Sequence, residues 1–405
     1  MPPVADAKVD ANIIEQVRSQ VADILHPHYD TPFNFLRWLQ SYEFNVSKTV
    51  HNLRKHLKWR KERHLDEDAR GLQQSAVTAE YAPLSVVGWN QVEGGDRLIV
   101  VDQCGRIDIG GVMKSIQPTE YLHQLYRNFE NLLSMIMKKE AETGVQCAVL
   151  YVFDLDGLSF DPSLLGILSG PFRVSWQSLG LHYRELIDRF VVINTPSYIN
   201  VLWSALSAFI PEQSKSRIAI TGRNWRDELL VMAEAECLPE RYGGKIPDEK
   251  ALKDPQPVPK DLYWRPKPDY PSVAAMHRIS TPAADCRVPG KTRTLTYYLE
   301  AGMELHLYSH NESDFTFAIY YSEKETTPEE EYEALLPPIQ KCALPAIDLY
   351  NQDITRTGYY HLRMTNDAAW LFPSTYRLIV HEKSGKEVQA LNQKEKWIKQ
   401  GVKSK

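Results

Sequence analysis

Cysteine, histidine, serine and paired carboxylates are the residues from which this chain could build a reactive centre, and their spacing matches none of the familiar ones. Cys104, Cys147, Cys237, Cys286 and Cys342 lie far apart without any C-x-x-C pair. They offer neither a disulfide framework nor a zinc site and fit a reducing compartment. Gly166-Ile-Leu-Ser-Gly170 has the wrong spacing for a nucleophile elbow, and no phosphate-binding loop, dinucleotide fingerprint or H-E-x-x-H occurs. Asp154-Leu-Asp-Gly157 lacks the full calcium-loop spacing and reads as a strand-end turn. His51 and His56, five apart in a basic segment, read as solvent-facing and not as ligands. The expectation is a protein with no catalytic residues, no metal site and no cofactor.

What the sequence offers instead is apolar surface. Phe190-Val-Val-Ile-Asn194 reads as a buried strand that passes through Thr195-Pro196 into a helix with Ile199, Leu202, Trp203, Leu206, Phe209 and Ile210 at helical spacing. Val201 and Ala205 widen that stripe beyond one core-facing side. Such a helix has something apolar to cover: the core of a large domain, or a lipid for which it forms a movable wall.

The elements that position this helix follow from the changing period of the sequence. At 405 residues the chain exceeds one ordinary core. From Asn12 to Ala82 the pattern is helical; Val50, Leu53 and Leu57 line one side of a helix whose other faces carry Arg54, Lys55, Lys58, Arg60, Lys61 and Arg63, with Ser47 as its expected N-cap. That charge run reads as a solvated face. Between Trp89 and Gly244, runs apolar on both faces (Leu98–Asp102, Ala148–Asp154, Phe190–Asn194, Arg217–Thr221) alternate with helical stretches such as Thr119 to Lys139. This predicts a largely parallel buried sheet of α/β type. Prolines from Pro247 to Pro271 read as a stiff linker.

After Asp285 the period becomes two, as in Leu295, Tyr297, Leu299 and Phe315, Phe317, Ile319, predicting an antiparallel β-sandwich. Glu323 to Glu333 reads as an acidic solvated loop and the Lys-rich end as a flexible tail or one loose helix. A net charge of −5 argues against general nucleic-acid binding. No apolar run approaches the ~18 residues of a membrane span, and the polar start Pro2 to Lys8 is unlike a signal peptide. The expected location is cytoplasmic.

Several separated motifs together resemble the CRAL-TRIO domain of lipid-transfer proteins: Tyr183-Arg-Glu-Leu-Ile-Asp-Arg-Phe-Val-Val-Ile-Asn-Thr-Pro196, the apolar helix after it, Ser214-Lys-Ser-Arg-Ile218 and Leu238-Pro-Glu-Arg-Tyr-Gly-Gly244. Phe35-Leu-Arg-Trp-Leu39 and Leu53 to Glu62 resemble that family's N-terminal helical extension. Leu295-Thr-Tyr-Tyr-Leu299, Gly358 to Asn366 and Trp370 resemble a GOLD domain. The combination is similar to the supernatant protein factor or tocopherol-associated protein subgroup.

The resemblance implies a multidomain chain. A helical extension (1–80) precedes an α/β lipid-binding domain (81–246), a Pro-rich linker (247–271), an all-β, jelly-roll-like GOLD sandwich (272–385) and a tail (386–405). It implies one hydrophobic ligand held behind the gate helix and exchanged at a transiently contacted membrane surface, with a protein partner for the GOLD domain and no enzymatic activity. Glu185, Ser214 and Arg217 match head-group positions; Arg217 would hold a phosphate through its guanidinium fork and Glu185 would accept from inositol hydroxyls. The family carries an Arg-Ala-Arg segment where this chain has Gln40, Ser41 and Tyr42. That leaves phosphatidylinositol, another phospholipid, a tocopherol or a sterol precursor open. The alternative is an adaptor that retains its lipid and binds a partner in membrane traffic or signalling.

Overall fold

A computed structural model describes residues 11–67, 72, 75–92, 95–159, 172–207, 215–281, 291–341, 343–366 and 374–392. The chain divides into two compact units, Met1–Val112 with His123–Lys260, and Met113–Leu122 with Asp261–Lys405.

In the first unit the helices Pro32–Ser41 and Val46–Glu62 are started by side-chain caps. Thr31 Oγ1 accepts from the Asn34 amide at 3.2 Å and Asn45 Oδ1 from the Lys48 amide at 3.0 Å. Asn45, and not Ser47, is therefore the cap of the basic helix. Its charges are also not all solvated as expected. Arg60, Arg63 and His56 are buried, because acidic and aromatic partners meet them, some from the same helix and some from far along the chain. Arg60 pairs with Asp66 at 2.7 Å and Glu130 at 2.8 Å. Only outer members of the run meet the expectation, such as Arg54, which pairs with Asp23 at 2.6 Å on the surface.

The sheet of this unit has the order β1-β2-β3-β4-β5, with β1 (Ser85–Asn90), β2 (Arg97–Asp102), β3 (Ala148–Asp154), β4 (Ile187–Ile193) and β5 (Ile218–Ile220). β1 is antiparallel to β2 and the rest are parallel. Parallel neighbours need crossovers, and the helices Pro118–Thr143, Arg173–His182 and Ile199–Ser207 lie in the successive connections. The rear face of the sheet is closed by Trp225, Leu229, Leu238 and Tyr242 against Ile99, Val101, Leu150, Val152, Val191 and Ile193. The Leu238 to Gly244 turn is tight. Gly243 sits at φ 86°, and a Cβ on Gly244 would lie 1.9 Å from the Leu238 carbonyl oxygen. The expected linker begins inside this unit, where Ala251 and Val258 are buried and Gln103 Nε2 donates to the Lys253 carbonyl at 3.1 Å.

The second unit is a pair of four-stranded antiparallel sheets. One has the order β10-β9-β12-β7 and the other β11-β8-β13-β6. The strands are β6 (His277–Thr281), β7 (Lys291–Leu299), β8 (Glu304–Asn311), β9 (Phe315–Ser322), β10 (Glu333–Lys341), β11 (Asp348–Asp353), β12 (Gly358–Asn366) and β13 (Ser374–Glu382). Alternate residues of both sheets form one core, including Leu295, Leu307, Phe317, Leu362 and Tyr376. The acidic loop is tied down where Arg363 meets Glu329 at 2.5 Å and Tyr332 stacks on His361 at 4.1 Å. Residues 386–392, expected at the start of a loose tail, run back along the sandwich. Ala390 is buried there and the Leu391 amide donates to the Thr296 carbonyl at 2.7 Å.

Candidate functional site

The front face of the first sheet is set by register. Val100, Tyr151, Phe190 and Ile218 lie in one row and Asp102, Phe153, Val192 and Ile220 in the next. Tyr151 stacks on Phe190 with ring centroids 5.0 Å apart, Phe153 meets Phe190 at 5.3 Å, and Phe172 meets Phe153 at 6.1 Å. Phe153 and Ile218 are half-buried and Ile220 is 38% exposed. An aromatic floor therefore runs to the edge strand with part of its apolar area still accessible. Leu158, Phe172, Tyr198 and Ile199 are partly buried against one apolar cluster, and Phe172, through its contact with Phe153, links that cluster at the start of the helix Ile199–Ser207 to the floor.

That helix follows a polar knot at the end of β4. At the end of β4, Asn194 adopts φ 51°, a left-handed backbone rare for a residue with a side chain. Its Nδ2 donates to Asp154 Oδ1 at 2.8 Å. Buried Asp154 also accepts from the Tyr242 hydroxyl at 2.8 Å and the Asp156 amide at 2.9 Å, and Asp154 to Gly157 form the expected strand-end turn. Tyr198 Oη donates to the Leu158 carbonyl at 2.6 Å. A cleft of about 620 Å³ opens here, bordered by Leu158, Asn194, Pro196, Ile199 and Arg223. Of the residues expected to line the gate, Ile199 and Trp203 are half-buried. Leu202 and Leu206 lie in the helix but their side chains, with all of Phe209 and Ile210, fall outside the described residues.

The polar candidates lie at the opposite ends of β4 and β5. Glu185, at φ 56° in the turn before β4, forms an ion pair with Arg217, which stands just before β5. The Arg217 side chain is 36% exposed and that of Glu185 17%. Ser214 lies outside the described residues. Beside Glu185, the Arg184 guanidinium sits over the Tyr42 ring at 5.1 Å and donates to Ser41 Oγ at 3.3 Å. Tyr42, in the segment where the resemblance expects Arg-Ala-Arg, thus meets an arginine from another turn.

One turn earlier, His182 stacks on Trp59 at 3.7 Å, and its Nδ1 lies 3.3 Å from Nδ1 of His56. Burial holds both imidazoles well below their ordinary value, and the nearby arginines add to this: Arg60 and Arg184 for His56, Arg63, Arg60 and Arg184 for His182. Because the folded values lie below the unfolded one, their contribution is intact above about pH 6.5 and is lost as the pH falls, at about 1.4 kcal/mol per pH unit for each histidine. Asp102 and Glu140, whose carboxyls burial raises, act in the opposite direction. The expected result therefore concerns a difference: His182→Phe should be nearly neutral at pH 7.5 and more stable than the natural protein at pH 5. Parallel pH profiles in urea unfolding would remove this assignment.

Sequence reasoning missed the floor itself and a polar pair on it. Tyr151 Oη donates to Asp102 Oδ2 at 2.8 Å. Burial pushes the Asp102 carboxyl up to about 6, with the Tyr151 hydrogen bond opposing and Asp154 adding to the rise. The alternation in Leu98–Asp102 and Ala148–Asp154 carries this information only once the strand register is known. No group of three or more metal-ligating side chains converges among the described residues, and none of their helices is long and apolar enough to cross a membrane.

Three family models match the chain: "CRAL/TRIO domain" over residues 84–244, "F28H7_8_C:-like, C-terminal domain" over 262–389, and "Domain of unknown function (DUF8435)" over 7–68. The CRAL-TRIO domain-containing protein F28H7.8 of Caenorhabditis elegans is 54% identical over 409 residues, covering 100% of this chain and 98% of that protein. Protein real-time of Drosophila melanogaster is 26% identical over 65% of this chain and 40% of its own. The phosphatidylinositol/phosphatidylcholine transfer protein SFH9 of Arabidopsis thaliana is 26% identical over 55% of this chain and 38% of its own. The chain thus spans about two fifths of the length of these last two. Among solved structures, the crystal structure of Sfh5 aligns with 64% of this chain and 97% of that chain, at a TM-score of 0.45 and 15% identity.

Proposed function

The chain belongs to the CRAL-TRIO family, known for lipid binding and transfer, and we propose that it carries one hydrophobic ligand on the aromatic floor of its first sheet and exchanges it at membranes. The observation that carries this reading is the floor of Tyr151, Phe153 and Phe190, joined through Phe172 to the base of the apolar helix, with Tyr151 and Phe190 buried and Phe153 left partly accessible. A chain of ~16 methylenes costs roughly 13 kcal/mol to leave in water. A carrier therefore needs an oily floor and a lid. The helix Ile199–Ser207, pivoting at Asn194 to Pro196, is that lid: on a bilayer it trades one apolar contact for another and closes again in water.

Glu185 and Arg217, with Ser214, form the head-group end. Their ion pair opens to admit a phosphate on the guanidinium and sugar hydroxyls on the carboxylate. The relative whose name includes phosphatidylinositol and phosphatidylcholine transfer supports a phospholipid at this end. The β-sandwich acts as a GOLD-like docking module for a membrane or partner protein, as in the tocopherol-associated subgroup. Its outward Tyr298, 49% exposed beside Tyr359, suits such a contact. The protein works from the cytoplasm, associates with membranes transiently and performs no catalysis.

Native mass spectrometry of the protein from its own cells should find a stoichiometric lipid. In liposome assays Glu185→Ala with Arg217→Ala should slow phosphoinositide transfer about tenfold or more while sparing lipids without that head group, since charge-assisted hydrogen bonds contribute roughly 1.5–3 kcal/mol. Equal loss for every lipid would sink the head-group assignment. A protein that holds its lipid but never exchanges it would be an adaptor.

A further inference from the structure

A second cleft, of about 230 Å³, is bordered by β1 and by the helices Ala76–Tyr81 and Pro118–Thr143. It shares no bordering residue with the cleft at Asn194 or with the aromatic floor. Val86, 39% exposed, and Met135, 38% exposed, line it together with Pro83 and Leu132, while its polar lining includes Asn128, Asn131 and Lys253. We propose that this cleft binds a small carboxylate with a short branched hydrocarbon body, an acid of amino-acid size.

The polar lining is arranged to donate. Buried Ser75 commits its amide to Gln124 Oε1 at 3.0 Å, and because that amide can only donate, Gln124 turns its oxygen toward Ser75 and its nitrogen toward Asn128. Gln124 Nε2 then donates to Asn128 Oδ1 at 2.9 Å. This relay occupies the Asn128 carbonyl oxygen and leaves the two N–H groups of Nδ2 as what the residue offers a ligand. Asn131 lies one turn further along the same helix and borders the same cleft. Lys253 is the one charged residue bordering the cleft among the described residues, and among them its ammonium has no ion-pair partner. Its backbone is fixed at both ends: the amide donates to Ser85 Oγ at 2.9 Å and the carbonyl accepts from Gln103 Nε2 at 3.1 Å.

Donors and a cation, with no carboxylate beside them, select an anionic acceptor. An amine would bring donors to donors and a like charge to Lys253. A neutral amide can accept from Asn128 but makes no charge-assisted bond with the ammonium. Inorganic phosphate would leave Val86 and Met135 in water, whereas a branched hydrocarbon covers them. The volume sets the upper size. At about 230 Å³ the cleft lies below the roughly 300–1,000 Å³ of sites for drug-sized ligands, so a long acyl chain does not fit. A free organic acid and the C-terminal residue of a peptide both carry this chemistry.

The test uses the full chain with isotope-labelled methionine methyl groups and follows Met135 by NMR, its resonance being assigned by its loss in Met135→Leu. Isovalerate, isovaleramide and isopentylamine present three ends on one body. Isovalerate should shift the Met135 methyl with a Kd of about 1 mM, as so few atoms allow, and bind about tenfold more tightly than the amide or the amine. Lys253→Gln and Asn128→Ala should each cut that preference to about threefold or less, and Lys253→Arg should keep it. If Asn128→Ala does not fold, the Lys253 variants, altered at an exposed side chain, decide. Acetyl-leucine and acetyl-leucinamide repeat the comparison with a peptide bond attached. Acetyl-leucine binding at least as tightly as isovalerate makes a peptide end the source, and weaker binding makes it a free acid. Equal binding of acid and amide, tighter binding of the amine, a preference unchanged in Lys253→Gln, or no shift of Met135 with any probe overturns the site. The carrier reading is decided separately, by the lipid that native mass spectrometry finds.

Discussion

Arg60→Ala should destabilise the first unit by about 3–5 kcal/mol, because it strands two carboxylates away from water. The Arg60 side chain is 1% exposed and reaches Asp66 and Glu130, with Tyr183 Oη donating to the same Glu130 at 2.9 Å and the Tyr29 ring 4.4 Å beneath the guanidinium. The pair of carboxylates raises the guanidinium's affinity for its proton further. Arg60 therefore stays charged throughout the accessible pH range and adds no slope of its own. In the variant the two acids lose their cation in a site that water reaches poorly. Urea unfolding followed by tryptophan fluorescence, with Trp38 and Trp59 reporting on this region, should show that loss at pH 7. A loss below about 1 kcal/mol would mean that Asp66 and Glu130 are not stranded when Arg60 is removed. Replacing Arg60, Asp66 and Glu130 together by apolar residues of similar volume should restore most of the stability, since the cost lies in leaving partners behind.

Arg60 also shows where the sequence stops being legible. Its neighbours in the chain are basic, and a run of like charges reads as a solvated face. The acids that bury it stand 6 and 70 residues away, and only the tertiary fold brings the second of them near. Ala148–Asp154, by contrast, is seven residues of unbroken strand-forming character, and it forms a strand with those bounds. β1 escaped notice because Gly88 interrupts it at a register shift, and β10 because Pro337 and Pro338 sit between its two paired stretches, where the ladder with β9 skips from Leu336 to Ile339. The same limit governs the site. The apolar helix after Asn194 is visible as a period of 3.6, but the floor beneath it is shared among β2, β3, β4 and β5. Asp102 and Tyr151 are 49 residues apart, so their pairing exists only once β2 and β3 are in register.

Asp154→Ala should cost about 3–5 kcal/mol and release bound lipid about tenfold faster, the second effect following from the first. The carboxylate takes three donors, from Asn194 Nδ2, the Tyr242 hydroxyl and the Asp156 amide. Tyr242 is 1% exposed. Its hydroxyl would be left buried without this acceptor, at about 1–3 kcal/mol. Losing the charge-assisted bond to Asn194 adds a similar amount and acts where the chain turns from β4 toward the helix Ile199–Ser207. Asn194 holds a left-handed backbone at a cost of about 1–3 kcal/mol, which persists because the surroundings over-determine it. Without Asp154 that turn relaxes, and under the proposed lid mechanism the helix starting at Ile199 loses its fixed pivot. Asn194→Gly separates the two effects: glycine adopts the left-handed backbone without strain, so stability should fall less than in Asp154→Ala while lipid release still quickens. Unchanged release from both variants, measured by transfer of a fluorescent phospholipid between liposomes, would place the moving part elsewhere. Faster release from Asp154→Ala alone would tie exchange to the rear-face contact of Tyr242, making the whole sheet end, and not the Asn194 turn, the element that sets the rate.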